Sequence, residues 1–364
     1  MLVGHRLKAL LYFIMIMGHI ALIHLFIIFT CHPAYALTLE ELITEAKGKN
    51  PELAALKEMI RAKEERVSQQ GYLEDPTFKV ELEDISRDRP LRIAPSQTML
   101  TRYTISQSFP FPGKLWLKEK IASKDALIGR ELYKARELEI IASIKDGYYE
   151  YSYIIETIRT TEDIKALVMK TAEAADIRYF LGEASQQDVI KINLEISSLI
   201  NDLIMLDARK AIEEAKLKQL AGLPYDQPIG EPLNLFTGTA GFSLEELMDS
   251  ALNENPAIKA IKKEIEKAGL EKELSQKDFY PDFMIGAAPI QRDNDFESFD
   301  LMFQINIPLW RGKYKSRVNE AGIDAASLMA ELTAAKNMKA LEIKEASIAE
   351  DSAGKTLVLY EKGH

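Results

Sequence analysis

The sequence predicts a mainly α chain with a small β part, built as a two-copy repeat of long α-helical hairpins plus β-hairpins. Three observations carry this. Short runs return along the chain at one constant spacing, each copy holds two stretches of period-two alternation, and the tract from Lys114 to Leu223 is free of proline and helical in its periodicity.

The repeat is direct. Leu37-Thr-Leu-Glu-Glu-Leu42 returns as Phe242-Ser-Leu-Glu-Glu-Leu247, Asn50-Pro51 as Asn255-Pro256, and Asp75-Pro76-Thr-Phe78 as Tyr280-Pro281-Asp-Phe283. All three matches share an offset of 205, which drops to 199 where Gly113-Lys114 answers Gly312-Lys313. The copies are expected at 37–222 and 242–364, joined by a Gly- and Pro-rich connector at 223–241. With the later offset His364 answers Lys165, so copy two is expected to be truncated at its C-terminus, without its second helix turn and return helix.

The first segment, 1–36, reads as a secretory signal: a basic start with Arg6 and Lys8, an apolar run from Ala9 to Phe29, and the small-residue cleavage pattern Ala34-Tyr35-Ala36. An uncleaved anchor is the other reading of that run, and Cys31 offers a lipidation reading, although Thr30 is a poor residue just before a lipidated cysteine. In each copy Thr38 and Ser243 stand as helix N-caps with Glu41 and Glu246 three residues on, the capping-box spacing. Each short helix ends near Asn50 or Asn255, and Pro51 and Pro256 then open a second helix at a position where the missing N–H costs nothing. These second helices run to about Gly71 and Lys277.

Strands follow. Phe78, Val80 and Leu82 alternate with Lys79, Glu81 and Glu83, with a partner run Tyr103, Ile105, Gln107, Phe109. In copy two Phe283, Ile285 and Ala287 precede a run with Phe303, Ile305 and Ile307 on one face and Met302, Gln304 and Asn306 on the other. Arg87-Asp-Arg-Pro90 and Gln291-Arg-Asp-Asn-Asp295 read as hairpin loops. Beyond Lys114 a single helix to Leu181 would span about 100 Å. Its stripe is Ile140, Ile144, Tyr148, Tyr151, Ile155, Ile158. Gly182-Glu-Ala-Ser185 breaks it, and Val189, Ile192, Ile196, Leu199, Leu203 and Leu206 then repeat at alternating spacings of 3 and 4, a coiled-coil seam.

Composition removes several functions. The chain has 364 residues, 47% apolar and 28% charged, which excludes a disordered tail and a multi-pass helical membrane protein. A net charge of -10 argues against nucleic acid. Cys31 is the one cysteine, and four of the five histidines precede residue 33, so neither a Cys/His metal site nor a cysteine nucleophile can be built, and no cofactor is expected. The strands have nearly the length that a tilted strand needs to cross a bilayer. Four strands cannot close a barrel, and an open edge in lipid leaves backbone groups unsatisfied. Three chains would pool twelve strands into an even-numbered barrel. The alternation alone fits a soluble sheet with one face on a helix layer equally well.

These residues resemble the TolC-type outer-membrane efflux proteins. The carrying motifs are Leu39-Glu-Glu-Leu42 with Asn50-Pro51, Ser106-Gln107-Ser-Phe-Pro-Phe-Pro-Gly113-Lys114, Arg178-Tyr-Phe-Leu-Gly182-Glu-Ala-Ser-Gln-Gln-Asp188-Val189, and Pro308-Leu-Trp-Arg-Gly312-Lys313. The Pro-Gly-Lys form is closest to the heavy-metal (cobalt-zinc-cadmium type) branch. The resemblance implies a homotrimer with a 12-stranded β-barrel in the cell outer membrane, in contact with its lipid, and a periplasmic α-helical tunnel. It implies a passive exit duct of a tripartite efflux system, for metal ions or small toxic compounds, docked on a periplasmic adaptor protein and an inner-membrane efflux pump, and no enzyme. Lys79, Glu81, Glu83, Arg102, Gln304 and Asn306 are then expected to face the lumen. Phe78, Val80, Leu82, Phe303, Ile305 and Ile307 are expected to face lipid. Tyr179, Leu181, Gly182, Glu183 and Ser185 form the expected adaptor-contact tip, and Trp116, Trp310 and Tyr103 the interfacial aromatics. A periplasmic adaptor or coiled-coil scaffold, anchored by an uncleaved first segment, is the alternative; an adaptor would carry a compact β domain between its hairpin arms, whereas strands here precede each long helix.

Overall fold

A computed structural model of the chain describes residues 37–83, 100–232, 242–292 and 295–362. The signal segment with Ala34, Ala36 and Cys31, the Arg87–Pro90 loop and most of the connector lie outside the described residues. The order of elements is α1 (Leu39–Lys49), α2 (Pro51–Gly71), β1 (Thr77–Glu83), β2 (Leu100–Phe109), α3 (Lys114–Phe180), α4 (Gln186–Ala221), α5 (Leu244–Glu254), α6 (Pro256–Lys277), β3 (Phe283–Arg292), β4 (Asp295–Ile305) and α7 (Arg311–Lys362). The chain is mainly helical with one small sheet, in the two-copy order the repeat predicts.

Both capping boxes form. The Glu41 N–H donates to Thr38 Oγ1 at 3.3 Å and the Thr38 N–H to Glu41 Oε2 at 2.8 Å. Ser243 and Glu246 make the same exchange at 3.2 and 2.9 Å. Proline opens α2 and α6, and Asn255 Oδ1 accepts from the Ala257 N–H at 2.9 Å, which satisfies a first-turn donor.

The described residues divide into two compact units, one of 37–50 and 140–232, the other of 51–83, 100–139, 242–292 and 295–362. Each unit draws on two separate stretches of chain, and the boundary between them falls inside α3, after Glu139. In the first unit α1 packs on α4. Its core is Leu42 and Ala46 from α1, Ile140, Ile144, Tyr148, Tyr151 and Ile154 from α3, and Leu217 and Ala221 from α4, closed by Leu223 and Ile229. The predicted α3 stripe is therefore buried from Ile140 to Ile155, with Ile158 half-buried. Along α4 the seam residues are shielded while their neighbours Leu194, Ile200 and Ile204 are exposed, and of the seam only Leu199 is fully buried. Two helices alone cannot cover a seam on all sides.

In the second unit α6 and α7 pack together and α5 lies on α7. Leu53, Leu117, Ile128 and Ile258 are buried with the small residues Ala122, Ala126, Ala260 and Ala268. Charge pairs tie the helices laterally. Arg136 grips Glu52 with two bonds of 2.8 and 2.9 Å and holds that carboxyl below its usual range, and Lys267 meets Asp125 at 2.8 Å. Exposed pairs of this kind contribute little individually, and they set register more than stability.

Candidate functional site

The four strands make one antiparallel sheet in the order β1-β2-β3-β4. Its register sorts the side chains into two faces. Phe78 pairs with Ile105, Ile105 with Ala287, Ile285 with Phe303 and Phe283 with Ile305, so these residues share one face, with Val80, Leu82, Tyr103 and Phe109. Phe78, Val80, Ile105, Ile285, Phe303 and Ile305 are all exposed there. An exposed apolar sheet face of this extent is unusual in a water-soluble fold and is characteristic of surfaces that meet a protein partner or a membrane.

The opposite face is polar. Lys79 pairs with Thr104, Glu81 with Arg102, and Met284 with Gln304. Lys79 reaches Glu81 at 2.5 Å. Arg102 joins Glu83 at 2.6 Å and Asp300 at 3.5 Å, bridging β1 to β4 across the face. A cavity of about 960 Å³ opens on this side, lined by Lys79, Glu81, Arg102, Asp300, Met302 and Gln304 among others. Five of the six residues expected on the polar face (Lys79, Glu81, Glu83, Arg102, Gln304) are thus brought together.

Asn306 and Ile307 sit differently from the rest of their sets, because β4 ends at Ile305. Asn306 closes the strand pair instead. Its Oδ1 accepts from the Asp282 N–H at 2.5 Å and its own N–H donates to the Asp282 carbonyl at 3.1 Å. Ile307 is exposed just past the strand. Tyr103 lies in the middle of β2, opposite Val80, with its hydroxyl 3.0 Å from Gln291 Oε1, whereas Trp116 and Trp310 stand at the strand–helix boundary and are exposed.

That boundary holds a charge cluster the periodicity did not point to. Lys114, buried at the first residue of α3, places its Nζ 3.0 and 3.1 Å from the two carboxylate oxygens of Asp282 and 3.2 Å from Asp278. Asp282 Oδ1 also accepts from the Phe111 N–H at 2.6 Å, and Arg317 of α7 meets Asp278 at 2.7 Å. Three connections between sheet and helices, β2 to α3, α6 to β3 and β4 to α7, are joined here. The signal was the Gly-Lys pair after the strand; its aspartate partners lie more than 160 residues away and could not be paired with it by spacing.

In the first unit the helical turn is built as expected. Gly182 takes a positive φ of 77°, its N–H donates to the Tyr179 carbonyl at 3.0 Å, and the Glu183 N–H reaches back to Arg178 at 2.8 Å. Ser185 caps α4, and Asp188 answers as the third residue of the box, its carboxyl held low by the Ser185 hydroxyl and N–H. Phe180 and Leu181 are exposed at 85% and 68%. Asp188 and Phe180 complete this turn; the Ser-x-x-Asp spacing carried the first of them.

A family model described as outer membrane efflux protein matches residues 42–223. No curated protein matches. Among solved structures, VceC from Vibrio cholerae is similar with a TM-score of 0.73 at 18% identity, covering 89% of this chain and 81% of that one. CusC gives 0.72 at 14%, covering 89% and 78%. The open state of MtrE from Neisseria gonorrhoeae gives 0.66 at 15%, covering 90% and 80%. At these identities the likeness is one of fold.

Proposed function

Because the chain belongs to the outer membrane efflux protein family, we propose that three copies pool their strands into a twelve-stranded barrel and act as the passive exit duct of a tripartite efflux system. The protein is an outer-membrane efflux channel, with its helical part in the periplasm. The observation that supports the pooled barrel is a sheet of four strands with an exposed apolar face and two outer strands, β1 and β4, that have no further partner among the described residues. Lipid satisfies no strand edge, so the edges need other strands, and a second and third copy supply them with closure. Lys79, Glu81, Glu83, Arg102 and Gln304 then line the lumen, and Phe78, Val80, Leu82, Phe303 and Ile305 meet lipid. The copies of the repeat, 37–222 and 242–364, each bring one hairpin.

Separation of inner and outer membranes, with the detergent-corrected mass of the extracted particle, tests this. Three chains in the outer fraction are expected; a single chain in the inner membrane would replace the duct with an anchored scaffold. In the lumen Glu81 and Glu83 bias passage towards cations. Glu81→Lys with Glu83→Lys is expected to lower the cation-to-anion permeability ratio of the reconstituted channel, and an unchanged ratio would remove both residues from the lumen.

The tip Tyr179, Leu181, Gly182, Glu183 and Ser185 docks a periplasmic adaptor, which links the duct to an inner-membrane pump; the cargo is metal ions or small toxic compounds. Exposed apolar side chains on a rigid, capped turn are what a docking contact uses. Leu181→Asp is expected to weaken adaptor binding about tenfold and to abolish export in cells, with the amount and mass of the outer-membrane particle unchanged. Full export by this variant would remove the tip from the contact.

A further inference from the structure

A groove of about 910 Å³ lies where α6 enters β3 and where β4 runs into α7, within the size range of small-ligand sites. Its walls are ordered by chemistry along one direction. Nearest the sheet are Ile305, on the apolar face, and Ile307, both exposed. Next comes Tyr280, stacked on Phe111 with ring centres 4.4 Å apart. Then come two cations, Lys277 at the end of α6 and Arg311 at the start of α7. Last is Glu273, four residues before Lys277 on the same helix face and so about 6 Å further from the sheet. Among the described residues neither cation and not Glu273 is in an ion pair, although Lys277 also lies over the Phe111 ring.

We propose that this groove binds one zwitterionic phospholipid of the periplasmic leaflet, its phosphate on Lys277 and Arg311 and its ammonium on Glu273. The inference rests on the reading of the sheet as a membrane barrel. The sequence of layers, acyl-compatible, aromatic, cationic, then anionic, is that of such a lipid from chain to headgroup terminus. Arginine and lysine bind phosphate by charge-assisted hydrogen bonds, and aromatic side chains sit at headgroup depth. A lipid with an anionic headgroup and no ammonium would bring no partner to Glu273. The groove therefore selects between lipids as well as binding one, and fixes the depth of the barrel where the strands leave the membrane.

The test uses the full chain extracted from outer membranes, stripped of lipid and titrated with phosphatidylethanolamine or phosphatidylglycerol, with bound lipid read by native mass spectrometry. The expected result is up to one phosphatidylethanolamine per chain, held about tenfold tighter than phosphatidylglycerol. Lys277→Ala with Arg311→Ala is expected to weaken both lipids at least tenfold, and Glu273→Gln to abolish the preference between them while still binding lipid. Unchanged binding by the double variant, or equal affinities in the wild type, overturns the proposal. The same spectra give the subunit number. A three-chain particle that binds no lipid removes the site and leaves the duct, whereas a one-chain particle removes both.

Discussion

Alanine in place of Gly222 is expected to destabilise the first unit by about 3 kcal/mol, the sum of a left-handed backbone cost of about 1–2 kcal/mol and a backbone clash. Gly222 ends α4 with φ 67° and ψ 30°, and the Leu223 N–H returns to the Lys218 carbonyl at 2.9 Å, so the left-handed residue is what lets the last carbonyls be satisfied. A Cβ there would lie 2.6 Å from the Lys49 carbonyl oxygen, 2.7 Å from its carbon and 3.1 Å from the Asn50 nitrogen. These are main-chain atoms, held in turn by the Asn50 side chain, whose Nδ2 donates to the Leu220 carbonyl at 2.8 Å, and no rotamer can relieve the contact. Gly182 is the control. It has φ 77° but nothing within 4 Å of an added Cβ, so Gly182→Ala should cost only the backbone part, about 1 kcal/mol. Amide hydrogen exchange over 37–50 and 218–223 reads the first variant, and exchange over 178–188 the second. Equal losses of protection would show that the α1–α4 contact is soft and that only the backbone angle matters.

Substitution of Lys114 by methionine is the second change with a large expected effect, about 2–3 kcal/mol in the second unit. Removal of one partner from a well-buried pair costs about 3–5 kcal/mol, and the lower figure applies because Asp278 and Asp282 remain 22% and 33% exposed and keep some solvation. The methylenes of the lysine are replaced, so packing changes little; what is lost is the ammonium that neutralises two carboxylates 3.0 and 3.2 Å away. Asp278 keeps Arg317 and Asp282 keeps the Phe111 N–H, which limits the damage. A double-mutant cycle with Asp282→Asn measures the coupling. A coupling energy above about 1 kcal/mol is expected for partners in direct contact; additive effects would reduce the cluster to a surface pair.

The elements themselves were readable from short stretches of chain. Thr38-x-x-Glu41 and Ser243-x-x-Glu246 place two helix starts, Pro51 and Pro256 place two more, and the strand residues sort by odd and even positions onto the faces that the ladders observe. Each of these depends on contacts within four residues or on the fixed two-residue pleat. The polar-face set was legible for the same reason, apart from Asn306, where the strand stops one residue early and the side chain is turned to the Asp282 backbone. Asp300 was missed because its partner Arg102 lies across an intervening strand, β3, and alternation assigns a face but no neighbour.

By itself, then, the sequence determined the helices, their caps, the long uninterrupted tract after Lys114 and the two-faced strands, since local geometry and side-chain period set all of these. Only the tertiary structure decided that β2 pairs with β3 and so welds the two hairpins into one sheet, that Lys114 meets Asp278 and Asp282, and that Gly222 lies against Lys49. Such partners are separated by more than 150 residues, and their meeting is set by which apolar surfaces can be buried together and which buried charges must be neutralised.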